Sequence, residues 1–326
     1  MGGSLSFDPL INGQRPALLL SNDAGGKHVV ISWASHCDFG QYHGWLISYN
    51  AGTLAREAAF NVSPNGVLGG IWMSGNGPAA DASGNIFFST GNGSWTGTDA
   101  FGDSIVKLGP QSGTTFTNLD YFTPTNQSAL NSVDEDLGSG GLLLLPDLSG
   151  PHPHLLVQVG KEGKIYVTDR GNLGHILCTN NCSSTDTQIV QELPAGTIGG
   201  MWSSPAYWNG NLYFGGNGDT LKAFSISASA ATPIPIIRPL KAQTGLLSLG
   251  RRRPFLRTEM RTASSGHSIT ANTAPRSLPD VTLRSSMPTT RRISPPSSGT
   301  ARRSLPIQRA MPLNSRCQPL RTARST

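Results

Sequence analysis

The feature that most constrains this chain is a repeat. Residues 69–93 read GGIWMSGNGPAADASGNIFFSTGNG, and residues 199–218 read GGMWSSPAYWNGNLYFGGNG. Each opens on paired glycines, an apolar residue and a Trp, then runs through Pro-Ala, Gly-Asn and an aromatic strand to Gly-Asn-Gly. Trp72 falls on Trp202, and Asn92 on Asn217. A second echo, a strand ending in a polar turn, appears in ISYNAGTL (47–54), YVTDRGNL (166–173) and KAFSIS (222–227). A period of roughly 55–60 residues is the size of a four-stranded propeller blade with its loops.

Helical periodicity is nearly absent from residues 1–230. Short β-rich runs stand between clusters of Gly, Asn, Asp and Ser: HVVISWA (28–34), GWLISYN (44–50), NIFFSTG (85–91), DSIVKLG (103–109), HLLVQVG (154–160), KIYVTDR (164–170) and NLYFGGN (211–217). Gly-bearing turns in KEGKIYV and GNGDTLKAF predict hairpins. The expected fold is all-β: residues 1–240 form an incomplete β-propeller of about four four-stranded blades. An all-β sandwich of similar composition is the alternative, but a sandwich need not repeat its Trp motif.

The net charge of +6 and pI near 9.4 suggest an acidic partner such as nucleic acid. The distribution of charge removes that reading. Residues 1–240 hold 9 Lys and Arg against 17 Asp and Glu, and residues 241–326 hold 16 against 2. The body is acidic and all the basic excess sits in the tail, so nucleic acid is not an expected partner. No apolar run reaches the ~18 residues of a membrane-spanning helix. Met1-Gly2-Gly3-Ser4 lacks the basic start and apolar core of a signal peptide and reads as internal to a longer protein. Cys178 and Cys182 in CTNNC suit a short disulfide formed in an oxidising compartment, whereas Cys37 is expected as a small buried residue. The expected location is periplasmic or extracellular.

Residues 241–326 change character. They are rich in Arg, Ser, Thr and Pro, with no Trp or Tyr and a single Phe, Phe255. At face value this is a disordered basic tail. Permitted codons, regrouped from one base earlier, turn CQPLRTARST (317–326) into VPTVANGKVY. The same shift turns MPTTRRISPPSSGTARR (287–303) into HAYDATNLSSELWNSSQ, and RTASSGH (261–267) into ANGIVWA. Three matches at one frame offset, each blade-like, predict a single frame error between about residues 228 and 242, read from the codon regrouping and from the blade pattern.

Over residues 30–227 the body resembles the pyrroloquinoline-quinone (PQQ) repeat propellers of the quinoprotein alcohol dehydrogenase-like superfamily. Four segments carry the resemblance. GGIWMSGNGPAADASGNIFFSTGNGSW (69–95) implies Trp72 as the aromatic floor beneath the quinone and Asn92 as a calcium ligand. SVDEDLGSGGLLLLPD (132–147) is similar to the family's Asp-x-Asp loop, which implies Asp136 as the catalytic base and Asp134 as an acidic metal-site position. VGKEGKIYVTDRGNLG (159–174) implies Lys161 as the cation that hydrogen-bonds the quinone oxygens. SHCDFGQYHGWLISYN (35–50) places Asp38, with one extra residue of spacing, where the family has a calcium-ligating Glu. The structural readings stay beside these: a Trp packed between blades, an Asn accepting a turn, a solvated acidic loop and an ordinary turn lysine. His36, His43, His152 and His154 are candidate ligands for a transition metal. The family's adjacent-cysteine ring is absent from this chain.

Two functions follow. One is a secreted, non-catalytic propeller that uses its blades as a scaffold for protein or glycan contacts. The missing cysteine ring and the altered Glu position favour it. The other is a PQQ- and Ca2+-dependent dehydrogenase acting on a small alcohol or sugar. The ordered match of Trp72, Asn92, Asp136 and Lys161 favours that one.

Overall fold

The computed structural model describes residues 5–177, 185–227 and 240–241. Cys178, Cys182, Cys317 and the expected disordered, out-of-frame tail lie outside the described residues, apart from 241.

The strands fall into four groups of four. The first is β1 (Leu19–Asp23), β2 (Gly26–Trp33), β3 (Trp45–Asn50) and β4 (Arg56–Asn61). The second is β5 (Ala79–Ala80), β6 (Ile86–Ser89), β7 (Ile105–Ser112) and β8 (Thr115–Phe122). The third is β9 (Leu143–Leu144), β10 (Leu155–Val159), β11 (Ile165–Asp169) and β12 (Gln191–Leu193). The fourth is β13 (Ala206–Trp208), β14 (Asn211–Phe214), β15 (Lys222–Ser225) and β16 (Leu240–Lys241). Within each group every strand pairs antiparallel with the next. These are propeller blades, and the fold is an incomplete β-propeller of mostly β structure. The first two blades share one parallel pair, Ala59 with Thr115, at their last strands. All seven β-rich runs singled out in the sequence are strands: β2, β3, β6, β7, β10, β11 and β14.

The blades are buried on both faces, and their sequence shows how. Successive side chains of a strand point to opposite faces. Along β10, Leu155, Val157 and Val159 enter a core shared with Leu212 and Phe214 of the fourth blade. Leu156 points the other way, into a core with Phe87, Phe88 and Phe122 of the second blade. A strand packed on two sides reads as a continuous apolar run, as LLV does here, rather than as an alternating one. Gln158, on the same face as Leu156 and fully buried, donates through Nε2 to the carbonyls of Leu137 and Gly140. The turn from β10 to β11 needs its glycine. Gly163 has φ +69°, and a Cβ there would strike the Ile198 carbonyl.

One element departs from the sequence reading. Helix α1 (Gln127–Val133) bridges the second and third blades. It buries only Leu130, so it leaves no periodic signature in its seven residues. Cys37 is also not the small buried residue expected. It is exposed and disulfide-bonded. Among the described residues no helix is long and apolar enough to cross a membrane.

Candidate functional site

An antiparallel meander puts the start of its first strand and the loop between its second and third strands at the same edge of the blade. The candidate residues all come from those two kinds of segment. Trp72 precedes β5, and Asp134 and Asp136 precede β9. Asp38 lies between β2 and β3, Asn92 between β6 and β7, and Lys161 between β10 and β11. The blades thus deliver all six to one cavity of about 690 Å3, together with Arg15, Tyr42, Ser139 and Trp202.

Its centre is a charged cluster. The Lys161 ammonium stands 2.7 Å from Asp136 Oδ2 and 3.0 Å from Asp134 Oδ2, and it donates to the Asp134 carbonyl at 2.8 Å. The backbone N–H of Lys161 donates to the Asp136 carbonyl at 3.0 Å. Asp136 Oδ1 accepts the backbone N–H of Asn92 at 2.7 Å, and the Asn92 side-chain amide donates to Asp134 Oδ1 at 2.9 Å. Asp136 is 7% exposed. Burial pushes its carboxyl above the ordinary aspartate range, against the Lys161 and Asn92 hydrogen bonds that pull it down. Lys161 feels burial too, but the hydrogen bond and charge of Asp136, reinforced by Asp134, hold its ammonium above the usual lysine range. Gly91 makes this packing possible. A Cβ there would strike Asp136 Oδ1 and come within 2.8 Å of Trp72 Cδ1.

The aromatic wall is built around Trp72. The Arg15 guanidinium lies over its ring, 5.5 Å from the centroid, and Tyr42 meets it edge-on at 6.1 Å. The Tyr42 hydroxyl donates to Asp38 Oδ1 at 2.9 Å. Burial first, then the charge of Asp38, lifts that phenol well above its ordinary range. Trp202, the repeat partner of Trp72, is 50% exposed and lines the same cavity. Its repeat position therefore does not make it packing between blades. Asn217, the partner of Asn92, lies outside the cavity, and its backbone N–H donates to the Gly200 carbonyl at 2.9 Å.

Sequence reasoning missed Arg15, Tyr42 and, behind the cluster, Asp103. Asp103 is fully buried at φ +49°. Its N–H donates to the Gly91 carbonyl at 2.8 Å, and its Oδ1 accepts the Leu137 N–H at 3.1 Å. It therefore ties the turn carrying Asn92 to the turn that follows Asp136. Burial, opposed by the Leu137 N–H and abetted by the charge of Asp136, pushes its carboxyl up to about 8. The only sequence signal was an acidic residue opening an apolar strand.

The histidines are elsewhere. His43 is buried with Nδ1 3.0 Å from the Ser63 carbonyl. His154 pairs with Asp147 at 2.9 Å, and His152 stands 3.8 Å from Asp169. His36 is exposed. They share no site, and the transition-metal expectation is corrected accordingly. Among the described residues no three His, Cys, Asp or Glu side chains form a metal cluster.

The cavity's atoms suit the PQQ and Ca2+ that the resemblance implies. Asn92 Oδ1 is buried without a hydrogen-bond partner, the kind of amide oxygen a hard cation uses. Asp38, Asp134 and Asp136 line the same cavity and offer only oxygen donors. Trp72 supplies a flat face, and Lys161 and Arg15 supply positive charge for carboxylates or quinone oxygens. The donor set fits such a group.

No family model and no curated protein matches the chain. Among solved structures it is similar to the quinohemoprotein alcohol dehydrogenase ADHIIG of Pseudomonas putida HK5. That match has 18% identity and a TM-score of 0.40, and it covers 63% of this chain and 38% of the other. It is also similar to the Dos1 propeller, at 14% identity and a TM-score of 0.40, covering 70% of this chain and 46% of the other. The chain spans less than half the length of either structure.

Proposed function

We propose that the cavity binds PQQ with Ca2+ and oxidises a small alcohol or sugar, Asp136 serving as the general base. One observation carries this reading: six residues from five blade-edge segments line a single cavity of about 690 Å3. In it Asp136 takes the proton of the substrate hydroxyl. Burial keeps its carboxylate more basic than an exposed aspartate, and Lys161 at 2.7 Å fixes the oxygen that receives the proton. A quinone held there would supply the acceptor for the hydrogen that leaves carbon with its electron pair. Trp72 would carry the flat ring system, Lys161 would face its oxygens, and Asn92 Oδ1 with Asp38 and Asp134 would hold the cation. The disulfide at Cys37 supports an oxidising, periplasmic or extracellular setting.

A second reading, the non-catalytic scaffold with protein or glycan partners, has its own observation. Arg15 already covers the Trp72 ring, and Lys161 already ion-pairs with both Asp134 and Asp136. The aromatic face and two of the cavity's carboxylates are thus engaged without a ligand. A titration of the folded protein with PQQ and Ca2+, followed by cofactor absorbance and thermal shift, separates the two. Saturable binding that is lost in Asp136→Ala and Asn92→Ala is the expected result. A folded protein that binds neither leaves the scaffold.

A further inference from the structure

A second cluster of polar groups lies away from the cavity, where the exit of the second blade meets the third. Pro124–Asn126 leads into α1, Glu162 and Lys164 belong to the β10–β11 turn, Glu192 sits on β12, and Asp186 and Gln188 precede that strand. Four buried oxygens here have no hydrogen-bond partner: Thr125 Oγ1, Asn126 Oδ1, Asp186 Oδ2 and Gln188 Oε1. Glu192 Oε2 has the Lys164 ammonium at 2.9 Å but receives no aligned N–H.

These groups are neighbours. Asp186 Oδ1 accepts the Thr125 N–H at 3.0 Å and the Gln188 side-chain amide at 3.1 Å. The Asn126 amide donates to Glu162 at 3.1 Å, and the Tyr166 hydroxyl donates to the other Glu162 oxygen at 3.3 Å. The charges of Glu162, Asp186 and Glu192 all act on the Tyr166 hydroxyl.

Three facts make this more than an acidic surface. Asp186 is 2% exposed, and its free oxygen is the second oxygen of a carboxylate whose first is fully used. Both amides spend their N–H on carboxylates and leave their oxygens over, so the cluster lacks donors, not acceptors. Asn126 occupies the residue before α1, where an Asn oxygen ordinarily caps the helix, and it makes no such bond. Lys164 pairs with Glu192 at 2.9 Å, and its charge also acts on Asp186, so one ammonium serves two carboxylates in a mostly buried place.

We propose that this cluster is a binding site for a hard divalent cation of the Ca2+ class. Asp186 Oδ2, Asn126 Oδ1, Gln188 Oε1 and Thr125 Oγ1 would be its protein ligands, with Glu192 completing the charge. Carboxylate, amide and hydroxyl oxygens with no nitrogen or sulfur are the set that Ca2+ takes. The site is separate from the cavity, but α1 runs from it to Asp134, which caps the helix at its other end. An ion bound here fixes the start of the element whose end carries that aspartate.

The test uses the full chain stripped with EGTA. It is titrated with Ca2+ by calorimetry and with Tb3+, exciting the aromatic band so that Tyr166 sensitises nearby lanthanide emission. Saturable binding is expected. Asp186→Asn keeps the acceptor for Thr125 but weakens binding at least about tenfold. Asn92→Ala removes only the binding event that the proposed function assigns to the cavity and leaves this second event in place. If Asp186→Asn fails to fold, Gln188→Met, which removes one free oxygen, is read in its place with the same expectation. Absence of saturable binding by the folded parent overturns the site, since ordered water then satisfies the oxygens. Undiminished binding by the Asp186 variant, or by the Gln188 variant where that is read, overturns it too, as does loss of all binding in Asn92→Ala.

Discussion

Asp103 shows how one buried side chain can set the pH response of the molecule. Its folded-state carboxyl titrates near 8, against 3.8 for a free aspartate, with burial as the leading cause. The folded state therefore keeps a proton that the unfolded state has lost from about pH 4 to about pH 8. Over that window the residue's contribution to stability falls as pH rises, at up to about 1.4 kcal/mol per pH unit. Asp103→Asn has nothing to ionise, and Asn tolerates the left-handed backbone found there. Its stability relative to the parent should climb steadily from pH 5 to pH 7.5 in urea unfolding. Parallel curves would mean that Asp103 is ionised in the fold. The sequence named Trp72, Asn92, Asp134, Asp136, Lys161 and Asp38 because each sits in a recognisable motif. It did not name Asp103, Arg15 or Tyr42, whose parts come from burial and from neighbours brought in by other segments. Nothing local distinguishes a buried Asp at a strand entrance from an exposed one.

At the scale of the element, the blades explain which strands could be read. β2, β3, β6, β7, β10 and β11 are apolar runs flanked by turn residues, and the sequence marks them clearly. β5, β9 and β16 have two residues each, too few for any period, and α1 buries only Leu130. The double-sided burial of the blades has an energetic consequence. Ile86 belongs to the core around the first two blades, and Ile165 to the core between the third and fourth. Ile86→Val and Ile165→Val should each cost about 0.5–1.5 kcal/mol, as the loss of one buried methyl does. Because the two cores share no side chain, the double variant should equal the sum within about 0.5 kcal/mol. Denaturant unfolding of the four proteins measures this. A coupling energy well beyond that margin would mean that the two cores respond as one.

At the scale of the whole chain, the sequence's overall charge conceals its organisation. The +6 total combines an acidic body with a tail that carries 16 Lys and Arg against 2 Asp and Glu. Four blades account for the body, and their strand-and-turn grammar stops where the Arg-, Ser- and Pro-rich composition begins. A basic tail under selection for a polyanion would need only its charges. Nothing in that role would make three separate stretches decode, at one shared frame offset, into blade-like peptides such as VPTVANGKVY. We therefore predict that the coding DNA of residues 287–303, read from one base earlier, spells a strand-and-turn sequence of the ISYNAGTL kind. Sequencing that stretch decides the matter. Codons that permit the regrouping make the tail's charge an accident of frame, and the acidic body alone then represents the evolved surface. Codons that forbid it make the tail an evolved segment, and its excess of positive charge would then need a polyanionic partner.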